Sequence, residues 1–156
     1  MSTSPGLEGT PATDDLKLLL DDHTLLSSSV IHGVALVRRL AAGRFEATAL
    51  HAETSRQVEL IREQLIQHFE FEEAKAFPRL EVLFPAQADA LQQFVAEHDG
   101  ILQTLDLLRT DLSFDRPPAD GRNLQKRALA FERVFEAHAT AETNLFNELA
   151  SKHAGR

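Results

Sequence analysis

Cysteine, tyrosine and tryptophan are all absent from the 156 residues. Without cysteine there are no disulfides, thiolate nucleophiles, iron–sulfur clusters or thiolate-bound structural zinc. Without tyrosine there is no tyrosyl radical, and losing tryptophan as well removes most aromatic cages for cations. Basic residues are in deficit: 16 Lys and Arg stand against 24 Asp and Glu, a formal charge of -8. That balance, with no basic stripe to offset it, argues against a nucleic-acid surface. No apolar run reaches about 18 residues, so no segment reads as membrane-spanning. The opening MSTSPGLEGTPATDD lacks the basic and apolar regions of a secretory signal. A cytoplasmic location is expected.

What remains is rich in Leu and Ala, with 10 Phe, a composition suited to packing helices against one another. The length is that of one domain, able to bury a sizeable core without help from a metal. Residues 1–13 read as a flexible tail rich in Ser, Gly, Thr and Pro, 14–150 as the folded unit, and 151–156 as a short tail. Thr13 or Asp14 is placed to cap a first helix, with Asp15 near its positive end. Leu16, Leu19, Leu20, His23, Leu26, Val30, Val34 and Val37 then recur at threes and fours, a helical period. Gly43 marks its end.

A second stripe runs through Val58, Ile61, Leu65, His68, Glu72 and Ala76, closing between Phe77-Pro78 and Phe84-Pro85. A third carries Leu91, Phe94 or Val95, His98, Leu102, Leu105 and Leu108. After the break from Asp115 to Gly121, a fourth carries Leu124, Phe131, Val134 or Phe135, His138, Glu142, Leu145 and Leu149. Phe45 to Arg56 either extends the second helix or forms a short one of its own. No alternating strand is present. The expected fold is all-α, an antiparallel up-down four-helix bundle.

Into these apolar stripes the sequence sets polar residues, beginning with HFEFEE. His68 and Glu72 lie four apart, on one helix face about 6 Å apart along the axis. His138 and Glu142 repeat the spacing in HATAE. In an up-down bundle, residues equally far from a connecting turn share a depth. The midpoint of His68 and His98 is Leu83, that of His98 and His138 is Pro118, and that of His23 and His68 falls between Phe45 and Glu46. Each lies at a turn, so the four histidines belong to one layer. A lone histidine–glutamate pair is more often structural. Four imidazoles and two carboxylates in one buried layer carry a severe desolvation cost, which two metal ions would offset. A mixed nitrogen and oxygen set suits iron best, with manganese, cobalt or zinc chemically possible. A metal-free polar network is the competing explanation.

The order of His23, HFEFEE followed by AFPRLE, EHDGIL with His98, and HATAETNLF resembles the hemerythrin-like, or HHE cation-binding, family over about residues 14 to 150. The resemblance implies a bundle enclosing a non-haem di-iron centre. Two iron ions would be terminated by His23 with His68 and by His98 with His138. Glu72 and Glu142 would bridge them, with an oxo or hydroxo group as a third bridge. The oxygen-carrying members have a further histidine one turn from the third-helix ligand. Here those positions are Phe94 and Leu102, which cannot replace it. The open place near His98 is left to a water, another carboxylate or a second free position.

Three functions follow as expectations. The first is binding or sensing of dioxygen or another small diatomic ligand. The second is a di-iron redox enzyme, or an iron-handling or iron-centre repair protein, using an external reductase. The third is a metal-free helical interaction module. A sensor would need a signalling partner, and monomer and homodimer stay open.

His32, half a turn from His23, should face away, while His51 is too far along its helix to share the centre. His153 falls in the tail. Asp22, Glu73, Asp99 and Glu97 adjoin ligands but point away from them, for outer or solvent roles. Phe69, Phe94 and Phe135 would wall the site.

Overall fold

The computed structural model describes residues 11–43, 47–113 and 121–154, and every element within them is helical. Four long helical arms form the expected antiparallel bundle. They are α1 (Pro11–Ala41), α2 (Ala47–Phe71) continued by a π turn (Glu72–Ala76) into α3 (Phe77–Leu83), α4 (Ala88–Leu112), and α5 (Gly121–Ala154). A 3-10 turn at Pro85–Gln87 joins α3 to α4. Helix α1 packs on α2 and α5, and α4 packs on the same two, so the arms close a ring.

Several boundaries differ from the expected ones. Helix α1 starts at Pro11, which puts Thr13 and Asp14 inside its first turn instead of at a cap. Proline suits that position, since the first helical N–H groups have no intrahelical acceptor. Gly43 adopts φ 64°, and its N–H donates to Leu40 O at 3.2 Å, ending α1 in the left-handed conformation that glycine takes without strain. Phe45 lies outside the described residues, but Ala47 to Arg56 is a continuous part of α2. Most of the Asp115 to Gly121 break also lies outside them. At the far end α5 runs to Ala154, so His153 sits in its last turn.

The second arm does not stop at Phe77-Pro78. Phe77 N–H donates to Glu72 O, five residues back, which makes one wide turn. Proline lacks an N–H and clashes inside a helix, but the wide turn places Pro78 at the start of a fresh α-helix. The arm therefore passes its proline and buries Phe77 and Leu80.

Helical phase decides the ambiguous stripe positions. Phe94, Ile101, Phe135 and Phe146 are buried, Val95, Leu102 and Leu145 are half-buried, and Val134 is exposed. The apolar interior forms two clusters. One runs from Leu26, Leu65 and Phe69 to Leu112, Leu124 and Phe135. The other gathers Leu16, Leu19, Phe77, Leu80, Leu91, Phe94, Phe146 and Leu149. Each fully buried Leu or Phe contributes about 1.5–3 kcal/mol, enough to carry a polar layer between the clusters.

Candidate metal centre

That layer holds His23, His68, Glu72, His98, His138 and Glu142, all buried, with both glutamates fully so. Each arm supplies part of it because each stripe has a polar residue at the same depth. His23 and His68 bring their ring centroids to 5.0 Å, and His98 and His138 to 5.2 Å. Glu72 Oε1 lies 3.3 Å from His68 Nε2 and 3.2 Å from His98 Nε2. Glu142 Oε1 lies 2.7 Å from His138 Nε2 and 3.5 Å from His23 Nε2. Each carboxylate thus spans two arms.

None of these inner contacts has the alignment of a hydrogen bond. All four Nε2 atoms, and both oxygens of Glu72 and of Glu142, are buried without a hydrogen-bond partner. Such atoms cost free energy unless something else satisfies them. Their grouping shows what fits. One ligand atom each from His23, His68, Glu72 and Glu142 lie within 4.8 Å of one another, and so do those from Glu72, His98, His138 and Glu142. Both glutamates belong to both groups. Two cation positions sharing two carboxylates match this donor set.

Three of the four outward ring nitrogens have separate partners, and His98 Nδ1 has none. Asp22 Oδ2 faces His68 Nδ1 at 3.3 Å, Glu97 Oε1 faces His138 Nδ1 at 3.0 Å, and Thr143 Oγ1 faces His23 Nδ1 at 2.9 Å. Glu73 Oε1 is 3.6 Å from His98 Nδ1, too far for a hydrogen bond. His98 is instead stacked on Phe69, centroids 3.8 Å apart and 11° from parallel. Phe94 meets His138 edge-on at 5.8 Å. Two surface clefts reach the other half of the layer. One of about 240 Å³ lies against His68 and Asp22, and one of about 300 Å³ against His23 and Thr143.

The metal-free electrostatics express this crowding. Burial opposes charge on His68, but Asp22, Glu72 and Glu142 outweigh it and raise its pKa to about 9. Burial and then the neighbouring His138 lower His98 to about 4. Burial also opposes charge on His138, yet Glu142 and Glu97 carry its pKa upward. Between the glutamates, burial and the adjacent Glu142 push Glu72 well up. Glu142 is held low in spite of burial by Glu72, His138 and His23. The two shifts run in opposite directions, as expected where two buried carboxylates lie close together and a second negative charge is disfavoured.

The profile of the hemerythrin HHE cation binding domain matches residues 15–150. The chain belongs to that family. Comparison with curated proteins and with solved structures gives no match. This hemerythrin-like domain carries a His/Glu cluster suited to a metal site, within helices none of which, among the described residues, is long and apolar enough to cross a membrane.

Of the residues considered from sequence alone, His32 is exposed and His51 lies outside both ligand groups. Asp99 is exposed and forms no contact with a ring nitrogen, whereas Asp22 and Glu97 do. Thr143 was not a candidate at all. The available signal was its place beside Glu142, because all four outer groups adjoin an inner residue in sequence.

Proposed function

We propose that this chain is a non-haem di-iron protein that binds or senses dioxygen or another small diatomic ligand. In this reading His23 and His68 would hold one iron, His98 and His138 the other, and Glu72 and Glu142 would be shared between them. The observation that carries it is the set of eight buried, unpartnered donor atoms converging as two groups with both carboxylates in common. Four neutral nitrogens and two carboxylates suit iron, and two carboxylates are too few to bridge and saturate two six-coordinate ions. An iron pair held by these residues would supply electrons to a small ligand.

The chain's own part is enclosure and orientation. Phe69 against His98 and Phe94 against His138 form an apolar wall on one half, which restricts water there. The clefts against His23 and His68 give the other half its approach from the surface. Small ligands are favoured over large substrates because neither cleft opens the layer itself, whose donor atoms are all buried.

Anaerobic loading with Fe(II), metal counting and absorption spectra before and after air provide the test. About two irons per chain are expected, with near-ultraviolet bands developing in air. Colour lost again when oxygen is removed supports binding or sensing. Irreversible oxidation supports the redox or repair alternative, and failure to retain iron under any condition overturns the di-iron reading.

A further inference from the structure

The four outer groups are arranged in a cycle. Asp22, next to His23 on α1, faces His68 of α2. Glu73, next to Glu72 in the π turn, faces His98 of α4. Glu97, next to His98, faces His138 of α5, and Thr143, next to Glu142, faces His23 of α1. Every arm therefore carries, one position from one of its inner residues, an outer group facing the imidazole of the following arm. The order α1, α2, α4, α5 and back to α1 is the packing order of the bundle.

We infer that Asp22, Glu97 and Thr143 are positioning residues, three links of a ring that turn the Nε2 atoms of His68, His138 and His23 toward the centre through contacts at their Nδ1 atoms, with Glu73 set opposite His98 at the fourth seam. The inference rests on the reading of the six inner residues as metal ligands, but its geometry is present in the metal-free chain. An imidazole has two usable nitrogens. An acceptor at Nδ1 fixes the proton there and leaves the Nε2 lone pair for a cation. A carboxylate acceptor also raises the donor strength of the ring, more than a hydroxyl does. Two neighbouring residues on a helix point about 100° apart, so one aims into the bundle while the other reaches the seam with the next arm. Adjacency in sequence thus becomes adjacency across the seam.

Two links in the ring differ from the rest. Thr143 is its one uncharged member. Glu73 is too distant to bond, so His98 takes its orientation from the face of Phe69. Asp22 and Glu97 have partly exposed side chains, 42% and 36%, so replacing them does not open a core cavity.

The test compares Glu97→Gln, Glu97→Ala, Asp22→Ala and Thr143→Val with the parent chain, in two measurements. Proton NMR of metal-free protein reads the Nδ1–H resonances of His68 and His138. Each should be downfield and slow to exchange in the parent, absent for His138 in Glu97→Ala and for His68 in Asp22→Ala. For His138 in Glu97→Gln the resonance should be retained but shifted. Anaerobic Fe(II) titration against a competing chelator reads affinity, which should weaken about 10–100-fold in the alanine variants and Thr143→Val, and less in Glu97→Gln. Circular dichroism melting of the metal-free variants should stay near the parent.

Unchanged resonances overturn the ring whether or not the parent binds iron. Parent-like iron affinity in all four variants overturns it while leaving the di-iron reading intact. If the parent binds no iron, the di-iron reading fails, and the resonances alone then decide the ring.

Discussion

At the scale of single residues, the desolvation cost of the inner layer is concentrated in its two glutamates. Glu72 and Glu142 are fully buried, carry no hydrogen bonds at their oxygens, and contact two histidines each. Glu72→Gln removes a carboxyl group whose ionised form is unfavourable without a cation. The metal-free variant should unfold at a denaturant midpoint no lower than the parent, yet bind less than one iron per chain. An ordinary core residue would show the reverse, a destabilised fold with metal content intact.

Protonation follows from the same crowding. His68, raised to about 9, holds a proton at pH 7 that a cation must displace, whereas His98, lowered to about 4, is already neutral. Loading at pH 7 should therefore release a proton from the His68 side, and apparent affinity should weaken as the pH falls below about 9. Calorimetric titration in buffers of different ionisation heat counts the released protons. In the metal-free fold the sign is opposite. A histidine raised from 6.5 contributes stability that is complete below 6.5 and lost as the pH rises through about 9.

At the scale of elements, the second arm decides most. Its π turn begins at Glu72, so the helix is regular between His68 and Glu72 and widens only beyond that pair. The short helix α3 that follows is held to α1 by Arg79 Nη1, which donates to both carboxylate oxygens of Asp15 at 3.0 and 3.1 Å. Asp15 is buried while the Arg79 side chain is half exposed. Removing the arginine strands a buried carboxylate; neutralising the aspartate leaves a solvated cation. Arg79→Ala should thus cost about 1–3 kcal/mol in urea unfolding, and Asp15→Asn less. Equal costs would show that the pair acts through packing and not through charge.

The junction of α1 with α5 is tight in a different way. A Cβ on Gly121 would collide with the backbone carbonyl of Ala41, which no side-chain motion relieves. Gly121→Ala should destabilise the fold by about 1–3 kcal/mol, with iron content unchanged because the site lies far along both helices.

For the whole molecule, two apolar clusters flank the polar layer and supply the buried hydrophobic surface around it. Iron should act as a ligand of the folded state alone. At a hundredfold excess over its dissociation constant it adds about 2.7 kcal/mol, a rise of about 5–10 °C in melting temperature for a domain of this size. Chelation should return the melt to its metal-free position. A melt indifferent to iron would leave the layer as a polar core with no cation to complete it.

Much of this was legible in the sequence, and the reason is local. Helical period and turn residues are properties of neighbouring side chains, so the four arms, their inward stripes and the equal depth of four histidines follow from spacing alone. His68 with Glu72, and His138 with Glu142, could be set on one face because four residues nearly complete a turn. The tertiary structure decided what depends on rotation and on partners from other arms. Whether Phe94 or Val95, Phe135 or Val134 turned inward was a matter of phase that a period alone leaves free. The passage of the second arm through Pro78 needed a single wide turn, written in no residue by itself. The outer contacts of Asp22, Glu97 and Thr143 exist only across seams, where a residue pointing 100° away from its own arm's interior meets the histidine of the next.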